Sequence, residues 1–382
     1  MREVAIVGAG MTRFGELWQS SLRRMFTDAA SEALASAGVK QVDSIYVGNM
    51  SAGRFVSQEH LGPLLAGELG QAGAAAVRVE SACASGGVAL RQGFMDVASG
   101  MSDLVLATGV EKMTDGADVT EALATAADQE LEAYHGITFP GLYAMIARAH
   151  MQRYGTTEED LAWVSVKNHR HGAMNPKAQF GREVTVEQVM ASTPVAEPLR
   201  LLHCSPVSDG AAAVLLCPLD QAARFTDRPI QIVGSGLATA PMALADREDP
   251  AVLDAVHRSA VKAYEMAGIG PADVDLAEVH DCFSIAEICC IEALGLVEKG
   301  TGRNAAGEGL TALGGRIPVN TSGGLKSKGH PVGATGVAQA IEIFEQLRGE
   351  AGDRQVLDAK VGLTQNMGGS GASSAVHVFR RV

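Results

Sequence analysis

The chain has 382 residues, is 47% hydrophobic with 44 glycines, and carries a formal net charge of −13. That length allows one large or two medium domains with ample core, and the negative charge argues against general binding to nucleic acid or to an anionic membrane. The six cysteines (Cys83, Cys204, Cys217, Cys282, Cys289, Cys290) form neither a disulfide scaffold nor a paired CxxC zinc site. No metal is expected, and reduced thiols suit a cytoplasmic protein. No apolar run is long enough to span a bilayer. Met1 to Ala5 enters a strand without a secretory signal, and the Phe379-Arg380-Arg381-Val382 end carries no peroxisomal address.

In chain order, Val4 to Val7 reads as a buried strand. Gly8-Ala9-Gly10 follows, but Arg13 stands where a dinucleotide fingerprint needs its third glycine. Leu22, Phe26, Ala29, Ala33 and Ala37 mark a helix that stops at Gly38, and Val42 to Val47 is the next strand. Ala76 to Val79 alternates like a strand, whereas Leu90, Phe94 and Val97 fall on one helical face. Between them lies Glu80-Ser81-Ala82-Cys83-Ala84-Ser85-Gly86-Gly87, so Cys83 sits where a strand becomes a helix. Free helix amides and the positive helix end favour a thiolate there. Cys83 is therefore either a nucleophile whose own amide helps hold an oxyanion or a buried inert cysteine. With Leu104 to Leu106 as a further buried strand, the alternation implies a mostly parallel sheet covered on both faces.

From Gly116 to Leu199 the chain turns polar and reads as an insertion carrying binding surface. Ser208-Asp209-Gly210 leads into a returning strand. The second half then repeats the first: Ile232 to Leu237 reads against Ile6 to Met11, Ala267-Gly268-Ile269 against Ala37-Gly38-Val39, Val274 to Val279 against Val42 to Val47, and, more weakly, Pro318 to Thr321 against Arg78 to Ser81. The expected division is 1–115 with 200–225, an inserted 116–199, and 226–382. Tandem α/β units would gather loops from both halves around one crevice.

Three more stretches carry candidate chemistry: His280-Asp281-Cys282-Phe283, Lys328-Gly329-His330-Pro331-Val332-Gly333-Ala334-Thr335-Gly336 ahead of a helix, and Asn366-Met367-Gly368-Gly369-Ser370-Gly371 before the last strand. Together with the Cys83 stretch and Ser208-Asp209-Gly210-Ala211-Ala212, these motifs resemble the thiolase superfamily nearly end to end. The HDCF tetrapeptide, with Lys167-Asn168-His169-Arg170-His171 and Asn175-Pro176, resembles the sterol-carrier-protein-type and archaeal branch. Other thiolases carry a second cysteine in a Cys-x-Gly turn, where this chain has Asn366-Met367-Gly368.

The resemblance implies an α/β thiolase-like fold: two duplicated βαβαβ-type halves in a layered αβαβα sandwich, with an inserted loop domain. It implies a ping-pong Claisen condensation of two acyl-CoA molecules, or thiolytic cleavage of a 3-ketoacyl-CoA such as acetoacetyl-CoA. Cys83 would carry the acyl group and His330 would take its proton. The amides of Cys83 and Gly368 would form one oxyanion hole, and His330 with His280 the second. Cys282, its pKa lowered somewhat from the usual ~8.5, would move the α-proton. The amide of Asn366 cannot act as a base, and its replacement is expected to leave both steps comparatively intact.

No permanent cofactor is implied; coenzyme A thioesters are substrates. Arg200, Lys326 and Lys328, with Arg170, Lys177 and Arg182, are candidates to meet the coenzyme A phosphates, and His135 and Tyr143 to face the pantetheine or acyl channel. His169 and His171 could be metal ligands by spacing, although the resemblance favours roles in loop packing. Cys204, Cys217, Cys289 and Cys290 read as core. A homodimer or homotetramer is expected, and relatives in this branch often work with a small zinc-ribbon/OB-fold protein. The alternatives are a thiolase-like ketoacyl synthase, which should carry an HGT-type motif absent here, and a retro-aldolase acting on a CoA ester.

Overall fold

A computed structural model describes residues 1–116 and 118–382. Nine strands form one sheet: β1 (Val4–Met11), β2 (Ser44–Gly48), β3 (Ala75–Val79), β4 (Val105–Glu111), β5 (Gly210–Pro218), β6 (Ile230–Thr239), β7 (Leu276–Glu278), β8 (Val361–Gly368) and β9 (Ser373–Arg381). Their order is β3-β2-β4-β5-β1-β6-β9-β8-β7. The repeat seen in the sequence is visible here, because the order reads almost as its own mirror about the β1–β6 seam. β1, β2 and β4 on one side correspond to β6, β7 and β8 on the other. The weakest repeat, around Pro318, also finds its place: Val319 makes a parallel bridge to Ala277 of β7, as β3 pairs in parallel with β2.

The expectation of a mostly parallel sheet is corrected. β2 runs parallel to β3 and β4, and β8 to β7. The ladders β4–β5, β5–β1, β1–β6, β6–β9 and β9–β8 are antiparallel. Four of these ladders come from the last strand of each half, β5 or β9, which returns against its neighbours, and the fifth, β1–β6, is the seam between the halves. Buried apolar runs such as Ala211 to Leu216 look the same in either direction, since both faces of the strand are covered.

Seven helices have ten residues or more: α1 (Leu22–Ser36), α2 (Ser85–Ser99), α3 (Phe139–Tyr154), α4 (Glu158–Ala173), α5 (Asp254–Ala267), α6 (Ser284–Ala293) and α7 (Thr335–Arg348). α1 packs on β1 and β5, and α5 on β6 and β9, as outer layers. α2 and α7 pack on each other and touch strands of both halves, so they form the central layer. Among the described residues, the stretch between β4 and β5 adds no strand to this sheet; it supplies α3 and α4 over the second half.

The paired glycine motifs are packing devices. A Cβ on Gly8 would lie 2.5 Å from the Ala33 carbonyl of α1, and one on Gly10 would strike the Ala29 carbonyl. Gly234 and Gly236 stand in the same relation to the Ala263 and Ser259 carbonyls of α5. The Gly-x-Gly pattern thus brings a helix close to a strand, with no nucleotide involved.

The same device sets the centre of the molecule. A Cβ on Gly86 would meet the Gly333 carbonyl at 2.7 Å, and one on Gly336 would strike the Gly87 amide and Asn366. The N-terminal turns of α2 and α7 therefore touch backbone to backbone. Gly86→Ala should cost about 1–3 kcal/mol in denaturant unfolding, the usual range for overpacking, because only backbone atoms could move away. Gly67→Ala, on a short helix where nothing lies within 4 Å of the added carbon, should be neutral or stabilising by up to ~1 kcal/mol.

Candidate active site

Cys83 lies between β3 and α2 on a tight turn. Ala82 adopts φ +48°, a left-handed conformation rare outside glycine. Ser85 holds this turn: its hydroxyl donates to the Ala82 carbonyl (2.6 Å) and accepts from the Ser81 amide (2.9 Å). His330 occupies the corresponding place ahead of α7. Its backbone amide donates to Ser208 Oγ (2.9 Å), and Ser208 donates to Gln179 (2.6 Å). The neighbouring Asp209 carboxylate, 0% exposed, accepts from the Met113, Thr114 and Leu17 amides and from Lys112 Nζ at 2.7–3.0 Å. The Ser-Asp-Gly motif is therefore a brace for the loops around His330.

The His280–Phe283 loop joins β7 to α6 and is pinned from below. Asp281 accepts from the Leu325 amide (2.7 Å) and Asn168 Nδ2 (2.7 Å), and the Ser205 amide donates to the Cys282 carbonyl (2.9 Å). On α4, Lys167 pairs with Glu287 (2.7 Å) and Asn168 also reaches Glu287 (2.8 Å). His169 and His171 direct ring nitrogens to the Arg182 and Asn320 carbonyls, and His171 also accepts from the Leu313 amide. They pack loops and face no shared cation site.

These loops meet at one cavity of ≈ 380 Å³, lined by Cys83, Tyr143, Cys282, Phe283, His330 and Gly369 among largely apolar neighbours such as Val119, Leu123, Phe139 and Val332. The sulfur of Cys83 and ring nitrogens of His280 and His330 lie within 4.8 Å of one another. The two imidazoles meet edge to face with centroids 5.0 Å apart. A thiol and two imidazoles could ligate a soft cation; each ring also presents Nδ1 to a polar neighbour, Thr335 for His330 and Asn366 for His280. His330 Nδ1 lies 2.7 Å from Thr335 Oγ1. The Thr335 hydroxyl also lies 3.0 Å from the Pro331 carbonyl; donating its one hydrogen there, it accepts from Nδ1–H of His330. That leaves Nε2 of His330 as a bare lone pair.

Burial sets the charge state. It pushes the Cys83 thiol up to about 12, reinforced by the Glu111 and Glu80 carboxylates and opposed by the Gly369 and Cys83 amides. It pulls His330 down to about 3, and His280 well below its ordinary value with His330 adding repulsion. It also raises the Cys282 thiol, against the opposing Tyr143 hydroxyl and Lys326 ammonium. The expectation of a lowered Cys282 pKa is therefore corrected: burial outweighs both. Glu111, fully buried, is raised to about 7 and binds the Met50, Ser51 and Gly333 amides, tying both halves beneath Cys83.

Other expectations also change. The amide beside the Cys83 sulfur is that of Gly369; Gly368 is the last residue of β8, paired with Ser373, so the turn's next residue faces the thiol. Lys326 and Lys328 are each 1% exposed, the first donating to the His203 carbonyl and the second 3.5 Å from Glu278. They brace the loop before His330 and cannot meet phosphates at the surface. Arg200 pairs with Glu158 (3.4 Å) beside a separate cleft, and His135 is exposed on a short turn outside the cavity. Tyr143 does line the cavity: it is 1% exposed, stacks on Phe283 at 4.5 Å, and donates to the Gly369 carbonyl (2.9 Å). Cys204, expected in the core, lines the cavity too. Asn366, expected to be dispensable, spends its whole side chain on neighbours: Nδ2 donates to the Cys83 carbonyl (3.1 Å) and reaches His280 Nδ1 (3.2 Å), and Oδ1 accepts from the Gly87 amide (3.0 Å). No local sequence signal reveals this, because the partners come from three distant segments.

Comparison with known proteins decides the lineage. Family models for "Thiolase, N-terminal domain" and "Thiolase C-terminal domain-like" match residues 4–220 and 236–381. The chain belongs to the thiolase family. It is similar to an acetyl-CoA acetyltransferase of Methanothermobacter thermautotrophicus, 57% identical over 100% of both chains. It is also similar to human sterol carrier protein 2, 36% identical over 97% of this chain and 71% of that one. Among solved structures, the "Ltp2-ChsH2(DUF35) aldolase" superposes with a TM-score of 0.86 at 26% identity, covering 99% of this chain and 98% of that one. Human mitochondrial 3-ketoacyl-CoA thiolase superposes with a TM-score of 0.77 at 18% identity, covering 100% and 99%, which speaks to the fold.

The opposed shifts of this thiolase's Cys83 and His330 favour a neutral thiol and a neutral imidazole in the resting site. The thiolate absorbance near 240 nm, taken as wild type minus Cys83→Ala, should be absent from pH 6 to 9 and emerge only towards strongly alkaline pH. A thiolate signal already present at neutral pH would instead mean a standing thiolate–imidazolium ion pair.

Proposed function

We propose that this thiolase is an acetyl-CoA C-acetyltransferase that joins two acetyl-CoA molecules into acetoacetyl-CoA, or cleaves that product with CoA. The observation that carries this reading is the meeting of Cys83, Cys282 and His330 at one apolar cavity, with a ring nitrogen of the buried His280 within 4.8 Å of Cys83 and His330, in a chain 57% identical to an acetyl-CoA acetyltransferase over its full length.

In the first half-reaction Nε2 of His330 takes the Cys83 proton as sulfur attacks the thioester carbon. The tetrahedral oxyanion rests on the Cys83 and Gly369 amides, and CoA leaves as a thiolate. Cys282 gives that thiolate its proton, which leaves Cys282 as a thiolate and His330 as an imidazolium. A thiol whose pKa is raised by burial is a poor acid but, once ionised, a strong base. In the second half-reaction Cys282 removes a methyl proton from a second acetyl-CoA. The enolate oxygen lies against His330 and His280, and its carbon attacks the acetyl group on Cys83. Cys83 departs with the His330 proton, restoring the resting state. An apolar cavity keeps water away from the acyl-enzyme.

The pantetheine arm reaches Cys83 through this cavity, with Tyr143 and Phe283 on one wall. The nucleotide phosphates meet basic groups nearer the surface than Lys326 and Lys328. The enzyme works as a homodimer or homotetramer in the cytoplasm, a setting compatible with its free cysteines and with the lack of a membrane-crossing helix among the described residues. A small zinc-ribbon/OB-fold partner is a further part of the proposal, motivated by the DUF35-containing aldolase it superposes on.

Intact-mass measurement after incubation with acetyl-CoA should show one acetyl group on wild type and none on Cys83→Ala. Cys282→Ala should still load, yet exchange the acetyl-CoA methyl protons with solvent ~10²-fold more slowly or worse, the lower range for a lost general acid–base group. Near-normal exchange in Cys282→Ala would move the base elsewhere. Loss of acetoacetyl-CoA enolate absorbance on adding CoA separates this activity from a retro-aldolase.

A further inference from the structure

We infer that Asn366 is a positioning residue that fixes the tautomer of His280 and so makes it a hydrogen-bond donor to the enolate; the inference rests on the acyltransfer reading above. The starting point is a backbone amide. Gly87 N–H can only donate, so the Asn366 atom 3.0 Å from it must be the carbonyl oxygen Oδ1. The side-chain nitrogen Nδ2 is thereby placed 3.1 Å from the Cys83 carbonyl and 3.2 Å from His280 Nδ1. Its two hydrogens have two acceptors, and Nδ1 of His280 must be one of them. A neutral imidazole that accepts at Nδ1 carries its hydrogen on Nε2.

That second nitrogen is fully buried and has no hydrogen-bond partner. The ring that carries it places a nitrogen within 4.8 Å of the Cys83 sulfur and of a His330 ring nitrogen. An unmet buried N–H is costly unless something fills the need. Here the occupant is the thioester oxygen of the second substrate, whose negative charge grows as the methyl proton leaves. The two rings at the site are thus set to opposite tautomers. Thr335 makes His330 a lone pair towards the thiol, and Asn366 makes His280 an N–H towards the enolate. The carbon acid needs the second; acyl loading needs the first.

Asn366 also explains how this arrangement survives substrate turnover. It is 1% exposed and links β8 to both the Cys83 turn and the start of α2. An alanine there would leave the Gly87 amide and the Cys83 carbonyl unpaired, which confounds folding with catalysis. Aspartate has nearly the same shape and keeps an acceptor for Gly87. It offers no hydrogen to His280 Nδ1, however, and would draw a proton onto that nitrogen.

Two-bond ¹H–¹⁵N spectra of ¹⁵N-histidine-labelled protein, with His280 assigned through His280→Gln, read the tautomer directly. Wild type should show His280 protonated at Nε2. Asn366→Asp should show Nδ1 protonated, with solvent exchange of the acetyl-CoA methyl protons falling at least ~10-fold more than acetyl loading of Cys83. Nδ1–H in the wild-type His280, an unchanged tautomer in Asn366→Asp, or equal losses in loading and exchange would each overturn the inference. The wild-type spectrum decides the matter even if the variant fails to fold. Failure of wild type to take up acetyl from acetyl-CoA would instead sink the acyltransfer reading, while the tautomer measurement still judged Asn366.

Discussion

The backbone contact between the first turns of α2 and α7 is the constraint on which the rest depends. Gly86 and Gly336 let two helix N-termini approach to distances that any side chain would prevent, while Gly87 and Gly333 make room for Asn366 and for the Gly48-Asn49 backbone. One turn carries Cys83 and the other follows His330, so the contact joins the proposed nucleophile from one half to the proposed base from the other. Glu111 reinforces the junction, accepting amides from the Met50 loop and from Gly333 with one buried carboxylate. Charge-assisted bonds of this kind are strong and directional, which is why a site made of loops can hold its geometry.

Burial then does the electrostatic work. In an apolar cavity the neutral forms of thiol and imidazole are favoured. In the proposed reaction charge develops as acyl groups move, beside the amides and ring nitrogens of the site. Nearby charged groups are kept out of the chemistry by being paired: Lys167 with Glu287, Lys328 with Glu278, and Asp209 with Lys112. Removing one member of such a pair would leave a buried charge without compensation, a far larger penalty than the pair's own net worth.

Much of this was legible in the sequence, for identifiable reasons. The duplicated halves showed because β1 and β6 each need Gly-x-Gly for the same helix approach, and that need leaves the same letters. Cys83, His280, Cys282 and His330 showed because each sits in a compact motif at the end of an element. Strand direction did not show, since a strand buried on both faces has no alternation to read. Lys326 and Lys328 were misread because a lysine beside a glycine turn looks the same whether it meets solvent or a buried carbonyl. Gly369 was missed by one residue, the difference between the last ladder position of β8 and the first residue of the turn. The contacts of Asn366 with Gly87, Cys83 and His280 were not legible because those partners are remote in the chain.

The central claim is that the two oxyanions of the reaction use different donors: backbone amides for the acyl group, imidazoles for the enolate. The most direct measurement is a crystal structure of Cys282→Ala soaked with acetyl-CoA, in which loading proceeds and condensation stalls. The account predicts an acetyl group on Cys83 with its oxygen within hydrogen-bond distance of the Cys83 and Gly369 amides, and a second thioester oxygen facing His280 and His330. An acetyl oxygen turned towards His280, or an acetyl group on any other side chain, would contradict it.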